Sequence, residues 1–203
     1  MLVGAIVLIS VLVIVSTLVL LWPYIMKLRS KKDFFNRASR TTYSLVRDKD
    51  YYIINDVDLV NENKKIHFDH ILFGEKYIYC IGNNYRDGNI SGKYSDNQWF
   101  LYKANGKTEY IKNPLLLHST RIEYLKSALK ADDILLGICV MNDECLIDKI
   151  EDCPDNIVLL NQKELKDFII AKEKSDISPI DSIQLEHLVR FIYNMSQGGK
   201  EKK

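Results

Sequence analysis

Lys65-Ile-His-Phe-Asp-His-Ile-Leu-Phe73, then Gly74-Glu75-Lys76, then Tyr77-Ile-Tyr-Cys-Ile81 is the stretch that decides how this chain folds. It runs on through Gly82-Asn83-Asn84-Tyr85-Arg86-Asp87-Gly88-Asn89-Ile90-Ser91-Gly92. Two short runs rich in β-branched and aromatic residues, joined by three residues that include a glycine, predict a β-hairpin. Asp69 interrupts the first run. A carboxylate inside a sheet is costly unless it is paired, hydrogen-bonded or metal-bound. The alternative is an exposed position on the polar face of an alternating strand.

Working outward toward the N-terminus, Leu2 to Trp22 contains no charged residue and is almost wholly Leu, Val and Ile. At about 1.5 Å per residue, some twenty residues span a hydrocarbon core of about 30 Å. Trp22 and Tyr24 stand where an interfacial aromatic belt belongs, and Lys27, Arg29, Lys31 and Lys32 follow. A cleaved leader calls for a positive n-region, a shorter apolar core and a small-x-small cleavage site. None is present, so a retained anchor is expected over residues 1–26. The four basic residues after the span predict a single-pass protein of the cell membrane with its C-terminal part in the cytoplasm. They also suit an anionic leaflet, at about 1 kcal/mol for each side chain near the surface, although a topology signal alone would explain them.

All 27 Asp and Glu lie beyond the four juxtamembrane basic residues, out of 28 Lys and Arg in the chain. The remainder is therefore slightly acidic and offers no overall electrostatic footprint for nucleic acid, leaving only a local basic face. Its length suits one hydrophobic core. Cys80, Cys139, Cys145 and Cys153 form no Cys-x-x-Cys pair and match no zinc spacing, so reduced thiols are expected. No phosphate-binding or dinucleotide glycine motif occurs. His67, His70, His118 and His187 show no metal-binding spacing and read as solvated or hydrogen-bonded histidines. On an extended strand His67 shares a face with Asp69, and His70 points the other way. The abundant tyrosines suit a half-buried sheet as readily as a stacking platform for bases.

The element order follows from periodicity. A helix is expected over Asp33 to Arg47, a strand over Tyr51 to Val60, and a polar turn at residues 61–64. A second hairpin should join Trp99–Tyr102 to Thr108–Ile111 through Asn105-Gly106. Pro114 opens a helix to Lys130 whose apolar stripe reads as core packing. Ile134 to Met141 is a continuous apolar run suited to a central strand, and Ile157 to Leu160 is a shorter one. Helices follow at Gln162–Glu173 and Ser182–Met195. Together these predict an α/β fold, a mixed sheet flanked by helices, preceded by one transmembrane helix.

Five features in order resemble the nuclease-related domain, NERD: Phe68-Asp69-His70 on one strand, Tyr77 to Ile81 on the next, Gly88-Asn89-Ile90-Ser91-Gly92, Trp99, and Asn113-Pro114-Leu115. The resemblance spans Tyr51 to about Leu129. It implies a restriction-endonuclease-like fold, whose metal-dependent nuclease site combines an Asp on one strand with Glu-x-Lys on the next. Anchored on Ile81 and Gly88, the chain has Gly82 at the Glu position and Asn84 at the Lys position; slid by one, it has Ile81 and Asn83. The Gln that follows Asn-Pro in the family falls on Leu117. A Glu on the opening helix is absent from the region of Asn36, Arg37, Ser39 and Arg40.

These departures remove the chemistry. Such a site needs carboxylates to hold Mg²⁺, which polarises the phosphoryl oxygen and acidifies a bound water. Asp69, with His70 beside it, is the remnant of the catalytic and metal set. The expected organisation is an anchor (1–26), a basic juxtamembrane segment and linking helix (27–50), a NERD-like domain (51–197) and a disordered tail (198–203). The expected function is a non-catalytic module, more a pseudoenzyme than an enzyme. It needs no cofactor and has the bilayer and a nucleic acid or protein as partners. The expected binding residues are Asp69, Asn83, Asn84, Lys93 and Asn113. One rival is a Mg²⁺-dependent nuclease with relocated groups, Glu75 or Asp87 as carboxylate and Lys93 as cation. The other is a structural membrane-associated assembly protein.

Overall fold

The structure, a computed structural model, describes residues 2–49, 51–61, 64–130, 133–148 and 150–200. It divides into two compact units, one ending at Arg37 and the other beginning at Ala38. Helix α1 (Leu2–Asp48) runs unbroken through what the sequence divides into a span, a basic segment and a linking helix. Pro23 lies inside it. A proline there removes one backbone hydrogen bond, a loss that membrane-spanning helices tolerate. In the first unit large apolar side chains stand open, Leu20 at 78% and Trp22 at 62% exposure. The helix is long and apolar enough to cross a membrane by length and composition.

In the second unit, the last turns of α1 bury Ala38, Thr42 and Leu45, spaced four and three apart as one helical stripe. The Thr42 hydroxyl is satisfied by donating to the Ala38 carbonyl at 2.9 Å. The strands follow as β1 (Tyr52–Asn61), β2 (Lys64–Phe73), β3 (Ile78–Asn84), β4 (Asn89–Ser91), β5 (Gln98–Tyr102), β6 (Thr108–Lys112), β7 (Leu135–Met141) and β8 (Ile157–Asn161). The helices are α2 (Pro114–Leu129), α3 (Leu165–Glu173, after a short 3-10 turn) and α4 (Ser182–Lys200).

Five strands form a mixed sheet in the order β1-β2-β3-β7-β8. The first three pair antiparallel, which is the expected hairpin extended by one strand. The last three pair parallel. β7 is buried along its whole length, as its continuous apolar run predicts for a central strand covered on both faces. At Gly137 a Cβ would fall 2.0 Å from Ile122 Cδ1, so the missing side chain lets α2 lie close on β7. The predicted pairing of β5 with β6 is present. The sequence did not reveal that β4, β5 and β6 form a separate three-stranded sheet.

A one-residue slip in side-chain phase marks the middle of the first hairpin. Core residues of β2 run Ile66, Phe68 and then Ile71, Phe73; those of β1 run Ile54 and then Val57, Leu59. Strict alternation requires even spacing, so both strands change phase once, at Asn55-Asp56 and at Asp69-His70. Asp56 has φ 52, a left-handed conformation that absorbs the change. The polar residues of the hairpin gather at this break. At the C-terminus, α4 continues through Lys200, so residues 198–200 are helical where a disordered tail was expected; residues 201–203 lie outside the described residues, as do 62 and 63 of the expected polar turn.

Candidate functional site

Asp69 is half-buried at the phase change of β2. Its Oδ2 accepts the Asn83 N–H at 2.7 Å, which ties it to β3 in place of a ladder hydrogen bond. Its Oδ1 faces His67 Nε2 at 3.8 Å. The other ring nitrogen of His67 lies 3.0 Å from Asp58 Oδ1 and 3.9 Å from Asp56. Asp58 is buried and paired with Lys65 at 2.8 Å. Three carboxylates thus converge on one imidazole. Asp69, and then Asp58 by its shorter contact, raises the His67 pKa against the effect of burial. Burial works to raise the Asp69 pKa, but the facing His67 ring and the hydrogen bond from the Asn83 N–H outweigh it and the net shift is downward. For Asp58, burial is likewise outweighed by Lys65 and His67, and its pKa falls.

His70 points away from this group. Its Nδ1 lies 2.7 Å from Asn55 Oδ1, and Asn55 Nδ2 donates to the Tyr43 hydroxyl at 2.7 Å. Its Nε2 is buried without a partner among the described residues, and burial lowers its pKa, which keeps it neutral.

The β2–β3 register runs His70 opposite Ile81, so continuing it by one sets Asp69 opposite Gly82. The position that would bring a second carboxylate to Asp69 therefore holds no side chain. A Cβ built on Gly82 would meet His118 Cε1 and Nδ1 at 3.2 Å. His118, buried on α2, donates from Nε2 to the Cys80 carbonyl at 2.7 Å. Burial pushes its pKa down to about 4, so the ring is neutral near pH 7 and is made for packing rather than charge.

Beyond Gly82 the strand opens into a cavity of about 410 Å³ lined by Asn84, Arg86, Lys112, Leu117, His118 and Arg121, among others. Among the described residues no carboxylate lines it. Leu117, His118 and Arg121 fall on one face of α2, at i, i+1 and i+4, and Lys112 ends β6 just before that helix. Arg86 Nε is buried without a hydrogen-bond partner among the described residues, while its Nη1 donates to the Tyr85 carbonyl at 3.0 Å. The cleft thus brings three basic side chains, Arg86, Lys112 and Arg121, beside the neutral His118 ring. Arg86, Lys112 and Arg121 were not singled out by sequence reasoning; for Arg121, the spacing from Leu117 was the available signal.

The other predicted residues are dispersed. Asn84 lies in the cleft, its Nδ2 3.4 Å from the Gly82 carbonyl. Asn83 contributes its backbone N–H to Asp69, and its side-chain oxygen is buried without a partner among the described residues. Asn113 is a helix cap: Oδ1 accepts from Leu115 and Leu116 N–H, and Nδ2 donates to the Tyr94 and Asp96 carbonyls. Lys93 uses its carbonyl to receive the Trp99 indole N–H at 2.8 Å. Lys27, Arg29, Lys31 and Lys32 are exposed on α1. Glu75 lies in the turn at the far end of the hairpin, six residues and roughly 20 Å along the strand from Asp69. Asp87 lines a neighbouring cavity that shares Arg86 with the cleft and is bordered by Tyr102 at the end of β5 and by Asn142 and Glu144 after β7.

The donor set does not fit Mg²⁺. Asp69 is already hydrogen-bonded to the Asn83 N–H and faces His67, and Asp58 is paired with His67 and Lys65, so these carboxylates fall short of the oxygen-rich octahedron that ion requires. Among the described residues no group of three or more His, Cys, Asp or Glu side chains could hold a metal. The four cysteines are free, and burial pushes the thiols of Cys139 and Cys145 up to about 12 and 11.

The mixed sheet with flanking helices, and a cleft beyond the end of β3, define an α/β domain. The sequence model of the nuclease-related domain, NERD, matches residues 35–142, more than half of the chain, which belongs to that family. No curated protein matches the chain. Among solved structures it is similar to a protein of unknown function, AF1548, at 9% identity and a TM-score of 0.41, over 83% of this chain and 92% of that one.

Proposed function

We propose that this chain is a membrane-anchored NERD protein whose domain binds nucleic-acid phosphate without cleaving it. The observation that carries the reading is the cleft itself: Arg86, Lys112 and Arg121 surround it, and Gly82 stands where the second metal-binding carboxylate would be needed. Guanidinium groups offer forked donors matched to phosphate oxygens. The domain's overall acidic balance makes this a local attraction confined to one face. The apolar α1 supports the anchor, and the basic residues after Trp22 support a cytoplasmic domain. A nuclease with relocated ligands loses support from the remote position of Glu75 and the separate cavity of Asp87.

The test uses the full chain in detergent micelles, with fluorescence anisotropy on a labelled oligonucleotide over a salt series. Three phosphate contacts predict that log K falls against log salt with a slope of about −2 for a single strand. The oligonucleotide should remain intact after incubation with Mg²⁺ or Mn²⁺. Absence of binding at low salt would overturn the reading in favour of protein assembly. Cleavage lost on Asp69→Ala would restore the nuclease.

A further inference from the structure

The outer face of the small sheet carries an unusual row of rings. Along β5, Trp99 and Leu101 point into the core while Phe100 and Tyr102 point out. Phe100 pairs across the strands with Tyr110 on β6. The rings form a continuous group, with Phe100 to Tyr110 at 5.1 Å between centroids and Phe100 stacked with Tyr102 at 6.1 Å. They are 39%, 45% and 69% exposed for Phe100, Tyr102 and Tyr110. Contiguous exposed apolar surface of this kind marks an interaction site more often than it decorates a monomer.

The neighbours say what the rings face. By strand pairing the same outward surface carries Asn89 beside Tyr102, Ser91 beside Phe100, and Gln98 beside Lys112. Amide and hydroxyl groups thus border the rings, and Lys112 closes the row. Lys112 also lines the cleft with Arg86 and Arg121. Rings and cations are therefore one continuous surface, joined through Lys112. A partner that fills it needs flat apolar faces spaced along a chain of negative charges. Single-stranded nucleic acid has that form, because its unpaired bases can stack on aromatic rings while its phosphates meet cations. A duplex keeps its bases stacked inside and cannot offer them.

We propose that Phe100, Tyr102 and Tyr110 form a base-stacking platform for single-stranded nucleic acid, whose phosphates continue into the cleft of Arg86, Lys112 and Arg121. The proposal rests on the phosphate-binding reading of the cleft and adds a strand preference to it.

The experiment measures anisotropy of a labelled oligothymidylate of about 12 nucleotides, a usual single-strand site size, and of a labelled duplex, each with the full chain in micelles. Phe100→Ala and Tyr110→Ala should each weaken single-strand binding roughly 5- to 100-fold, with the salt slope unchanged. Tyr110→Phe, which keeps the ring, should bind as the parent does. Arg121→Gln should weaken both probes and lower the salt slope by about one. Both alanine sites are exposed, and unchanged thermal midpoints confirm folding. Single-strand binding that survives both alanine variants overturns the platform while leaving the cleft reading intact. Loss of binding to phosphatidylserine vesicles in those variants, with nucleic-acid binding unaltered, overturns it in favour of a lipid-facing surface. A parent chain that binds neither oligonucleotide overturns the cleft reading as well.

Discussion

Gly82→Glu puts back the carboxylate that a metal-dependent nuclease would need, and the structure states its cost. The new Cβ would sit 3.2 Å from two atoms of the His118 ring, tighter than ordinary contact. That ring cannot easily yield, because its Nε2–H is held by the Cys80 carbonyl at 2.7 Å on a fully buried helix face. Overpacking of this kind costs about 1–3 kcal/mol. For a domain of this size it should lower the thermal midpoint by roughly 2–4 °C per kcal/mol. The compensating gain is a second carboxylate opposite Asp69. If the pair binds Mg²⁺ with a dissociation constant of about 1 mM, then about 10 mM Mg²⁺ returns RT ln 11, about 1.4 kcal/mol. Differential scanning fluorimetry of the full chain in micelles reads both effects. The variant should melt below the parent without metal and recover with Mg²⁺, while the parent midpoint stays fixed. A parent that Mg²⁺ stabilises as much as the variant would refute the reasoning, since the donor set described for Asp69 would then be wrong.

Three further outcomes follow from the same geometry. Asn113→Ala removes the acceptor of two α2 amides and the donor to the Tyr94 and Asp96 carbonyls, and should cost about 2–4 kcal/mol in chemical denaturation, against about 1 for an ordinary cap; a cost below that of an ordinary cap would show that the loop at 93–96 is held by other means. The pKa of His67 is raised on folding, so its stabilisation is present below its unfolded value near 6.5 and lost as pH rises through the folded one; the stability difference between the parent and His67→Gln should shrink from pH 6 to pH 8. The pKa of His118 is lowered to about 4, so its contribution is present above 6.5 and lost as pH falls; the drop in thermal midpoint from pH 6.5 to 4.5 should be smaller in His118→Gln than in the parent.

The hairpin and the central strand were legible because their signals are local. A glycine turn between β-branched runs and the apolar stretch from Ile134 to Met141 each name their structure within the window that contains them. The small sheet was not legible, since its two hairpin strands read correctly but nothing local tells which sheet they join. The cleft was half legible. The resemblance located Asp69, Gly82 and Asn84, whereas Arg86, Lys112 and Arg121 lie on a loop, a strand end and a helix and meet only in three dimensions. Asn113 shows the opposite failure: it was grouped with binding residues because it follows the family pattern, yet its side chain is consumed by capping α2. Strand alternation sets where the rings of the small sheet lie. Trp99 and Leu101 took the inward positions, which left Phe100, Tyr102 and Tyr110 outside.

Asp69 retains an ionised carboxylate in a half-buried place, and this needs a source of positive charge. His67 supplies it. The ring stands between Asp58 and Asp69, is itself shifted toward the protonated form, and holds both acids below their ordinary pKa. Lys65 takes the remaining charge of Asp58 at 2.8 Å. The phase change at Asp56 and Asp69 lets these side chains converge, because strict alternation would carry the hydrophobic set of both strands across this point unbroken. The hairpin thus balances its acidic residues internally with a histidine and a lysine. None of Asp56, Asp58 and Asp69 is among the residues that line the cleft, and all three face His67 within the hairpin. The acidic residues of the hairpin are paired within it while Arg86, Lys112 and Arg121 line the cleft, and that separation supports the proposal that the cleft holds an anion.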